Sequence, residues 1–207
     1  MVQAIKAQDI SLLQLSENFG LERTDDDEFF PEWQDDLPKL NDWERQILDE
    51  VKGNYLHLSQ YPMLEAIVKM VVLSPLLRIA GFYRPPFYLT SEKEVQISTE
   101  DEGKIVRGRI DVLICKPEFW IIVIEAKRAE YSLKVGIPQA LAYMLAHPDP
   151  EKPAFGFVTN GTEFIFIKLT RQNTPQYCFS NQFSLLNRGN DLYAVASILK
   201  RLALLVS

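Results

Sequence analysis

Two apolar stretches joined by a short polar connection constrain the fold of this chain most strongly. Residues 109–115 read RIDVLIC and residues 119–128 read FWIIVIEAKR. Their length and their β-branched and aromatic content predict two consecutive β-strands. Asp111, Glu125 and Lys127 interrupt these apolar runs, although an uncompensated buried charge costs several kcal/mol. The three charges therefore require a structural or a chemical reason.

The register between the two strands decides whether these charges meet. If residues 117–119 form a three-residue hairpin loop, Asp111 lies opposite Glu125, and Arg109 lies opposite Lys127. A two-residue turn instead places Asp111 on the opposite face of the sheet from Glu125. Facing carboxylates repel each other unless they share a proton or a cation, and oxygen ligands suit a hard divalent ion such as Mg²⁺.

Four segments have helical patterns. Residues 42–52 follow a cap at Asn41 or Asp42 and stop at Gly53. Residues 61–82 are apolar nearly all round, with Pro62 in the first turn and Pro75 expected to end or kink the helix. Residues 136–146 and 190–206 complete the set.

The remaining patterned segments predict strands. Residues 87–99 alternate in polarity and precede a polar turn, so three consecutive strands follow the second helix. Residues 154–169 predict a hairpin across Asn160 and Gly161. The sequence therefore predicts an α/β fold, in which a mixed central sheet is flanked by helices.

The charge is distributed unevenly along the chain. The net charge of −6 divides into −10 for residues 1–50 and +4 for residues 51–207. We therefore treat residues 1–41 as an acidic, partly helical N-terminal extension and residues 42–207 as one domain. Residues 24–38, TDDDEFFPEWQDDLP, form a solvated connector, with Phe29, Phe30 and Trp33 as possible anchors, or a mimic of nucleic-acid charge that covers a basic groove.

Several classes of protein fit the sequence poorly. No apolar run approaches the roughly 18 residues that span a bilayer, and residues 1–10 lack a signal-peptide core, so we expect a soluble, cytoplasmic protein without membrane contacts. Cys115 and Cys178 stand alone and are expected to be ordinary strand residues. No GxxxxGK[ST] motif occurs, so we expect no ATP-driven motor within these residues.

The charged residues and the helix that follows them resemble the PD-(D/E)xK nuclease superfamily. Asp111 matches its first acidic residue, and Glu125-Ala126-Lys127 matches its Glu-x-Lys pair, although Ile110 stands where the motif has proline. The chain is most similar to the nuclease domain of type I restriction enzyme R subunits, because Gln139 and Tyr143 match a Gln-x-x-x-Tyr motif. The resemblance spans about residues 61 to 170 and implies a restriction-endonuclease-like core of helix, three-strand meander, helix and strand.

The resemblance also implies a mechanism. Asp111, Glu125 and the carbonyl of Ala126 hold Mg²⁺, for which Mn²⁺ substitutes, and Glu65 completes the site from the preceding helix. Lys127 orients the attacking water or offsets developing charge. Gln139 and Tyr143 hydrogen-bond a phosphate or steady Lys127. Candidate DNA-backbone contacts are Arg84, Lys104, Arg107, Arg109, Arg128, Lys134 and Arg171.

The implied function is a metal-dependent DNA endonuclease of the restriction type, acting alone or with separate motor or specificity subunits. A catalytically silent DNA- or protein-binding module that retains the nuclease fold is the alternative. Each candidate site residue also has a structural alternative to its catalytic or binding role. Asp111 can belong to a buried ion-pair network, the helix dipole can stabilise Glu65, and each basic residue can be a solvated surface charge. The oligomeric state and the sequence preference stay open.

Overall fold

A computed structural model of the protein describes residues 3–98, 104–116, 119–126 and 132–205 and, for residues 3, 4, 104 and 119–126, the backbone alone. These residues form nine strands and six α-helices. In chain order they are β1 (Gln3–Lys6), α1 (Leu12–Phe19), β2 (Glu22–Arg23), α2 (Asp42–Leu58), α3 (Glu65–Val68), α4 (Ser74–Ala80), β3 (Tyr88–Ser98), β4 (Lys104–Lys116), β5 (Phe119–Ala126), α5 (Leu133–Leu145), β6 (Ala154–Thr159), β7 (Glu163–Thr170), β8 (Gln176–Phe179), β9 (Phe183–Ser184) and α6 (Leu192–Leu205).

All nine strands belong to one sheet. Its main order is β1-β4-β5-β6-β7-β8-β2, with β3 on the other edge of β4 and β9 beside β7. β4 is antiparallel to both β3 and β5, and after α5 the chain returns with β6 parallel to β5. The predicted mixed α/β architecture is therefore confirmed, and the observed order from α4 to β6 is helix, three antiparallel strands, helix and strand.

Helices cover both faces of the sheet and create two hydrophobic cores. The first core joins α2, α4 and α6 to one face and includes Leu48, Leu76 and Leu199. The second core joins α1 and α5 to the other face and includes Leu15 and Leu141. We call these the α2/α4/α6 core and the α5 core.

α2 is longer than its sequence pattern predicts. Asn41 caps the helix as expected, because its Oδ1 accepts a hydrogen bond of 2.9 Å from the backbone N–H of Glu44. The predicted stop at Gly53 is wrong, since the helix continues to Leu58. Tyr55 extends the buried face one turn beyond Val51, and its hydroxyl hydrogen-bonds Thr162. Burial of this aromatic ring outweighs the roughly 1 kcal/mol that glycine costs inside a helix.

The second predicted helix contains a change of hydrogen-bonding pattern. It begins at Glu65, not at Pro62, and residues Lys69–Leu73 form a turn of π-helix before α4. Pro75 then lies in the first turn of α4, where a missing backbone N–H costs least. The helix therefore does not end at Pro75, and its path continues from α3 through the π turn into α4.

The register of β4 and β5 is confirmed over three residue pairs, although the predicted loop is wrong. The pairs Val112–Ile124, Leu113–Val123 and Ile114–Ile122 are those of a three-residue loop. Phe119, however, belongs to β5 and pairs with Lys116, and a β-bulge between Ile114 and Cys115 restores the register. An extra residue inside a strand therefore replaces the extra residue of the loop.

The other predicted elements are present with small shifts. α5 begins three residues earlier than predicted, where Ser132 caps the backbone N–H of Lys134 at 3.3 Å. The β6–β7 loop contains residues 160–162, one more than predicted. Asn160 Oδ1 accepts hydrogen bonds from two backbone N–H groups there, and Gly161 supplies a φ of 87°. α6 is present as predicted.

The N-terminal segment shares the sheet and the cores with the rest of the chain. β1 pairs in parallel with β4, and β2 pairs in parallel with β8. Phe30 is only 1% exposed in the α2/α4/α6 core, with Phe29 and Trp33 packed against it. The aromatic residues thus anchor residues 24–38, while the carboxylates of Asp25, Asp26, Asp27, Glu28, Asp35 and Asp36 stay exposed.

Two further expectations concern the cysteines and the membrane. Cys115 in β4 and Cys178 in β8 are both strand residues without a disulfide, as predicted. Among the helices of the described residues, none has the length and apolar character needed to cross a bilayer.

Candidate active site

β4 has two successive partner strands on one of its edges. On one edge, β4 pairs with β1 along Lys104–Arg107 and with β5 along Val112–Lys116. Between these two partners, no described residue pairs with residues 108–111 on that edge. We call residues 108–111, together with the adjoining ends of β1 and β5, the fork.

Asp111 lies at an irregular position on the other edge of β4 as well. The pairing with β3 continues on either side but skips Glu92, which has a φ of 53°. The alternation of β4 side chains changes at this point: the even-numbered Val106 and Ile110 belong to the α5 core, whereas the even-numbered Ile114 belongs to the α2/α4/α6 core. A left-handed backbone at a non-glycine residue is uncommon, and such strain concentrates at functional sites.

Asp111 and Glu65 converge on a cation that the sequence did not single out. Lys69 Nζ lies 2.9 Å from Asp111 Oδ1 and 2.6 Å from Glu65 Oε1. The side chains of Asp111, Lys69 and Glu65 are 14%, 24% and 38% exposed. Burial acts to lower the pKa of Lys69, but the hydrogen bonds to both carboxylates outweigh it and raise the pKa above its ordinary value. Lys69 is therefore protonated at neutral pH.

The carboxylates of Asp111 and Glu65 fit a divalent cation. Both present oxygen, the ligand that Mg²⁺ prefers, and both already direct an oxygen at one positive charge. The other two predicted ligands, Glu125 and Ala126, lie at the end of β5. The register places Glu125 one residue beyond the Val112–Ile124 pair, level with Asp111, and Ala126 is the last residue of the strand. The side chain of Glu125 and all of Lys127 lie outside the described residues. Among the described side chains, no three histidine, cysteine or acidic groups cluster as a metal site.

Gln139 and Tyr143 form a second group on the opposite face of β4. They are four residues apart on α5, both are buried, and Gln139 Nε2 donates a hydrogen bond of 2.7 Å to the Tyr143 hydroxyl. Tyr143 packs directly on Gly108: a Cβ at Gly108 would lie 2.6 Å from the Tyr143 hydroxyl and 2.8 Å from Cε1. Glycine at position 108 thus allows α5 to bring this pair against the fork.

A cleft of about 240 Å³ opens beside Gln139 and Tyr143. Its described lining is Lys6, Ala7, Gln8, Arg107, Gly108, Arg109, Gln139 and Tyr143. Arg109 pairs with Glu94 at 3.0 Å, and Arg107 donates to Gln96 at 2.9 Å, but these side chains are exposed. Exposed pairs contribute about 0–1 kcal/mol, so these arginines exchange such partners readily for a phosphate. Lys6 is the cation here that the sequence did not single out.

The remaining predicted basic residues have different positions. Arg84 and Lys134 are exposed, only the backbone of Lys104 is described, and Arg128 lies outside the described residues. Arg171 donates to the carbonyl oxygen of Leu145 at 2.9 Å and to that of His147, at the end of α5. Burial lowers the pKa of Arg171. These contacts favour a structural role for Arg171.

The predicted site residues therefore flank the fork from two sides. Glu65 and Asp111 meet through Lys69, whereas Gln139 and Tyr143 contact Gly108 from the side of α5. Asp111 follows Gly108 by three positions on β4, so both groups share this strand. The signal for Lys69 was present in the sequence, since it is an isolated charge in an apolar helix and stands four residues after Glu65.

Comparison with known proteins identifies a family model and a solved structure that resemble this chain. The family model for the type I restriction enzyme R protein N terminus matches residues 6–174. Among solved structures, a fragment of a putative HsdR subunit of a type I restriction enzyme from Vibrio vulnificus YJ016 is 23% identical, with a TM-score of 0.42. That alignment covers 59% of this chain and 24% of the Vibrio chain, so this chain spans about a quarter of its length.

No curated protein matches the chain. The matched residues 6–174 make up most of its 207 residues and include the fork, α3 and α5. On this evidence, the chain belongs to the family of type I restriction enzyme R protein N-termini.

Proposed function

We propose that this chain is a Mg²⁺-dependent DNA endonuclease domain that hydrolyses phosphodiester bonds at the fork, with a core of the PD-(D/E)xK nuclease type. The observation that carries the proposal is the convergence of Asp111 and Glu65 on one positive charge at the fork. Membership in a restriction enzyme family supports a nuclease over other metal-dependent hydrolases.

The proposed metal ligands come from three elements: Asp111 from β4, Glu125 and the Ala126 carbonyl from β5, and Glu65 from α3. When bound, Mg²⁺ or Mn²⁺ supplies a Lewis acid that polarises the scissile phosphate and lowers the pKa of a coordinated water. Lys127 orients that water and offsets charge that develops on the phosphate. The buried Gln139–Tyr143 pair donates hydrogen bonds to a phosphate or steadies Lys127.

Cations of the fork hold the DNA backbone in this proposal. Lys6, Arg107 and Arg109 line the cleft next to Tyr143, and each neutralises a phosphate near the scissile bond. Arg84, Lys104, Arg128 and Lys134 extend this contact along the duplex. Arg171 is left out, because its guanidinium binds the end of α5.

The proposed partners are DNA and the other subunits of a type I restriction enzyme, since the family is named for the R protein of that assembly. The 207 residues contain no GxxxxGK[ST] motif, so an ATP-driven motor of the proposed complex lies outside these residues. A cytoplasmic location stays a prediction.

One observation favours a second function, a catalytically silent DNA- or protein-binding module. Glu65, Lys69 and Asp111 form an ion network that joins α3 to β4. In a silent module this network fixes α3 to β4, and the cations of the fork bind DNA without cleaving it.

A plasmid cleavage assay with Mg²⁺ or Mn²⁺ separates the two functions. We expect nicking or linearisation by the wild type and none by Glu125→Gln or Lys127→Ala. Lys152→Ala, which removes an exposed lysine that pairs with Asp149 at 3.8 Å, is the control and retains activity. DNA binding without metal-dependent cleavage by the wild type supports the silent module. Equal cleavage by the wild type and Lys127→Ala contradicts the proposed mechanism.

A further inference from the structure

We propose that Lys69 is the resident counter-ion of the metal site: its ammonium group holds Glu65 and Asp111 together in the metal-free protein, and a divalent cation displaces it. The inference rests on the proposed function, because it concerns the same two carboxylates. It assigns to Lys69 a positioning role that controls metal affinity.

The contacts of Lys69 place it between the two carboxylates. Its Nζ is 2.6 Å from Glu65 Oε1 and 2.9 Å from Asp111 Oδ1, so the two oxygens lie no farther apart than the sum of these distances. Without a cation between them, the two carboxylates repel each other in a half-buried site. The ammonium therefore keeps the ligands in place before metal binds.

A divalent cation and this ammonium cannot share the position between the carboxylates. Mg²⁺ binds oxygen at about 2.0–2.1 Å, closer than the hydrogen bonds of Lys69. Like charges at such a separation repel strongly in a partly buried site. The metal therefore gains the two carboxylates only when Lys69 gives them up, and the lost ion pair weakens the observed metal affinity.

The local backbone allows this exchange without refolding. Lys69 is the first residue of the π turn, and its neighbours Val68 and Val72 are fully buried, which fixes the helix against the core. The side chain of Lys69 is itself 24% exposed. Its four-carbon stem reorients by rotamer changes alone, so the ammonium moves while the helix stays in place. π turns within α-helices occur frequently at functional sites.

The displaced ammonium remains beside the site and has a function there. Glu65, Asp111 and Lys69 carry a summed charge of −1, which a divalent ion turns positive. A DNA phosphate then meets both the metal and a lysine released from its carboxylates. Metal binding thereby increases the positive charge at the position where DNA binds.

Calorimetric titration with Mn²⁺ tests the exchange in Lys69→Met, which keeps the apolar stem and removes the ammonium. We expect Mn²⁺ to bind this variant about tenfold more tightly than the wild type, the effect of no longer breaking one charge-assisted contact. Lys168→Met is the matched control, because Lys168 pairs with Glu32 at 2.6 Å in a similarly buried setting away from the fork. Its Mn²⁺ affinity should equal that of the wild type.

Thermal unfolding supplies a second readout. Both variants should melt below the wild type without metal, since each removes a partly buried ion pair. Saturating Mn²⁺ should restore the melting temperature of Lys69→Met and leave the loss in Lys168→Met unchanged. Lysine side-chain NMR of the wild type needs no variant: Mg²⁺ should shift the Lys69 signal and leave that of Lys168 in place.

The outcomes separate this inference from the proposed function. Equal Mn²⁺ affinities for the wild type and Lys69→Met, or a Lys69 signal unmoved at saturating Mg²⁺, overturn the exchange and leave the metal site standing. Absence of Mn²⁺ binding in both proteins overturns the metal site and the exchange together. Binding by Lys69→Met alone supports both.

Discussion

Gly108→Ala should destabilise the protein because β4 approaches Ala7 and Tyr143 too closely for a side chain. A Cβ at position 108 would lie 2.6 Å from Ala7 Cβ and 2.6 Å from the Tyr143 hydroxyl. Neither neighbour has room to move: Ala7 is 2% exposed, and Tyr143 is 1% exposed and hydrogen-bonded to Gln139. Overpacking of this kind costs about 1–3 kcal/mol of unfolding free energy.

Urea unfolding followed by circular dichroism measures this loss. Gly53→Ala is the matched control, because a Cβ there meets nothing within 4 Å and the residue lies inside α2. The control should gain about 0.5–1 kcal/mol, since alanine favours the helix. The two Gly→Ala changes therefore shift the unfolding midpoint in opposite directions, while the slope with urea stays unchanged.

A double variant assigns the cause of the loss. Ala7→Gly removes one of the two neighbours, so Gly108→Ala with Ala7→Gly should cost less than the sum of the single changes. If Gly108→Ala is as stable as the wild type, or gains stability as Gly53→Ala does, the close approach of α5 to the fork is refuted.

Three further predictions concern charge. Asp111→Asn should abolish cleavage with a melting temperature within roughly 4 °C of the wild type, because Lys69 keeps Glu65 as a partner; a much larger fall would support a structural ion network. Asp49 accepts hydrogen bonds from Asn190 at 2.9 Å and from Tyr193 at 2.7 Å, which lower its pKa below the ordinary value of 3.8. Its charge thus stabilises the fold above about pH 4, and this contribution is lost as the pH falls through the lowered pKa. Asp49→Asn should melt below the wild type at pH 7, and this difference should shrink as the pH falls below about 4; a difference that does not change with pH would exclude the charge as the cause. Amide substitutions at Asp25, Asp27 and Asp35 should tighten DNA binding at low salt and have no effect at high salt, if the acidic segment competes with DNA. Equal affinity at every salt concentration would mean that the segment lies away from the DNA.

The acidic segment shows why substitution is a better test there than truncation. Phe30 is buried in the α2/α4/α6 core, and β1 is part of the sheet, so deletion of residues 1–40 removes core and sheet together. The aromatic content of the segment suggested such anchoring from the sequence alone. The direction in which its carboxylates face required the structure.

Local pattern was sufficient for the long elements of the fold. Strand-length apolar runs predicted β3, β4, β5, β6 and β7, and helical spacing predicted α2, α5 and α6. Short elements were not predicted, because their stability comes from partners that are distant in the sequence. β1, for example, has four residues and pairs with Lys104–Arg107. α2 passed its expected end because Tyr55 gains a tertiary contact that no local signal contains.

The sequence predicted only those features of the candidate site that appear within single strands or within one hairpin. Asp111 and Glu125 stood out as charges in apolar runs, and the register that brings their positions level was available from hairpin geometry. The bulge between Ile114 and Cys115 could not be predicted, because one extra residue can lie either in a loop or within a strand. The contact of Lys69 with Asp111 depends on how α3 packs on β4, which the helix pattern leaves undetermined.

The pairing of β1 with β4 has a consequence for synthesis of the chain. About a hundred residues separate Gln3 from its partner Lys104. At about 5–20 residues per second, the ribosome completes that stretch roughly 5–20 s after β1 emerges. β3, β4 and β5 are close neighbours in sequence, so their meander assembles with little loss of chain entropy, whereas β1 closes a much longer loop. Lys6 therefore reaches the fork only after β4, the strand that carries Asp111, has been synthesised.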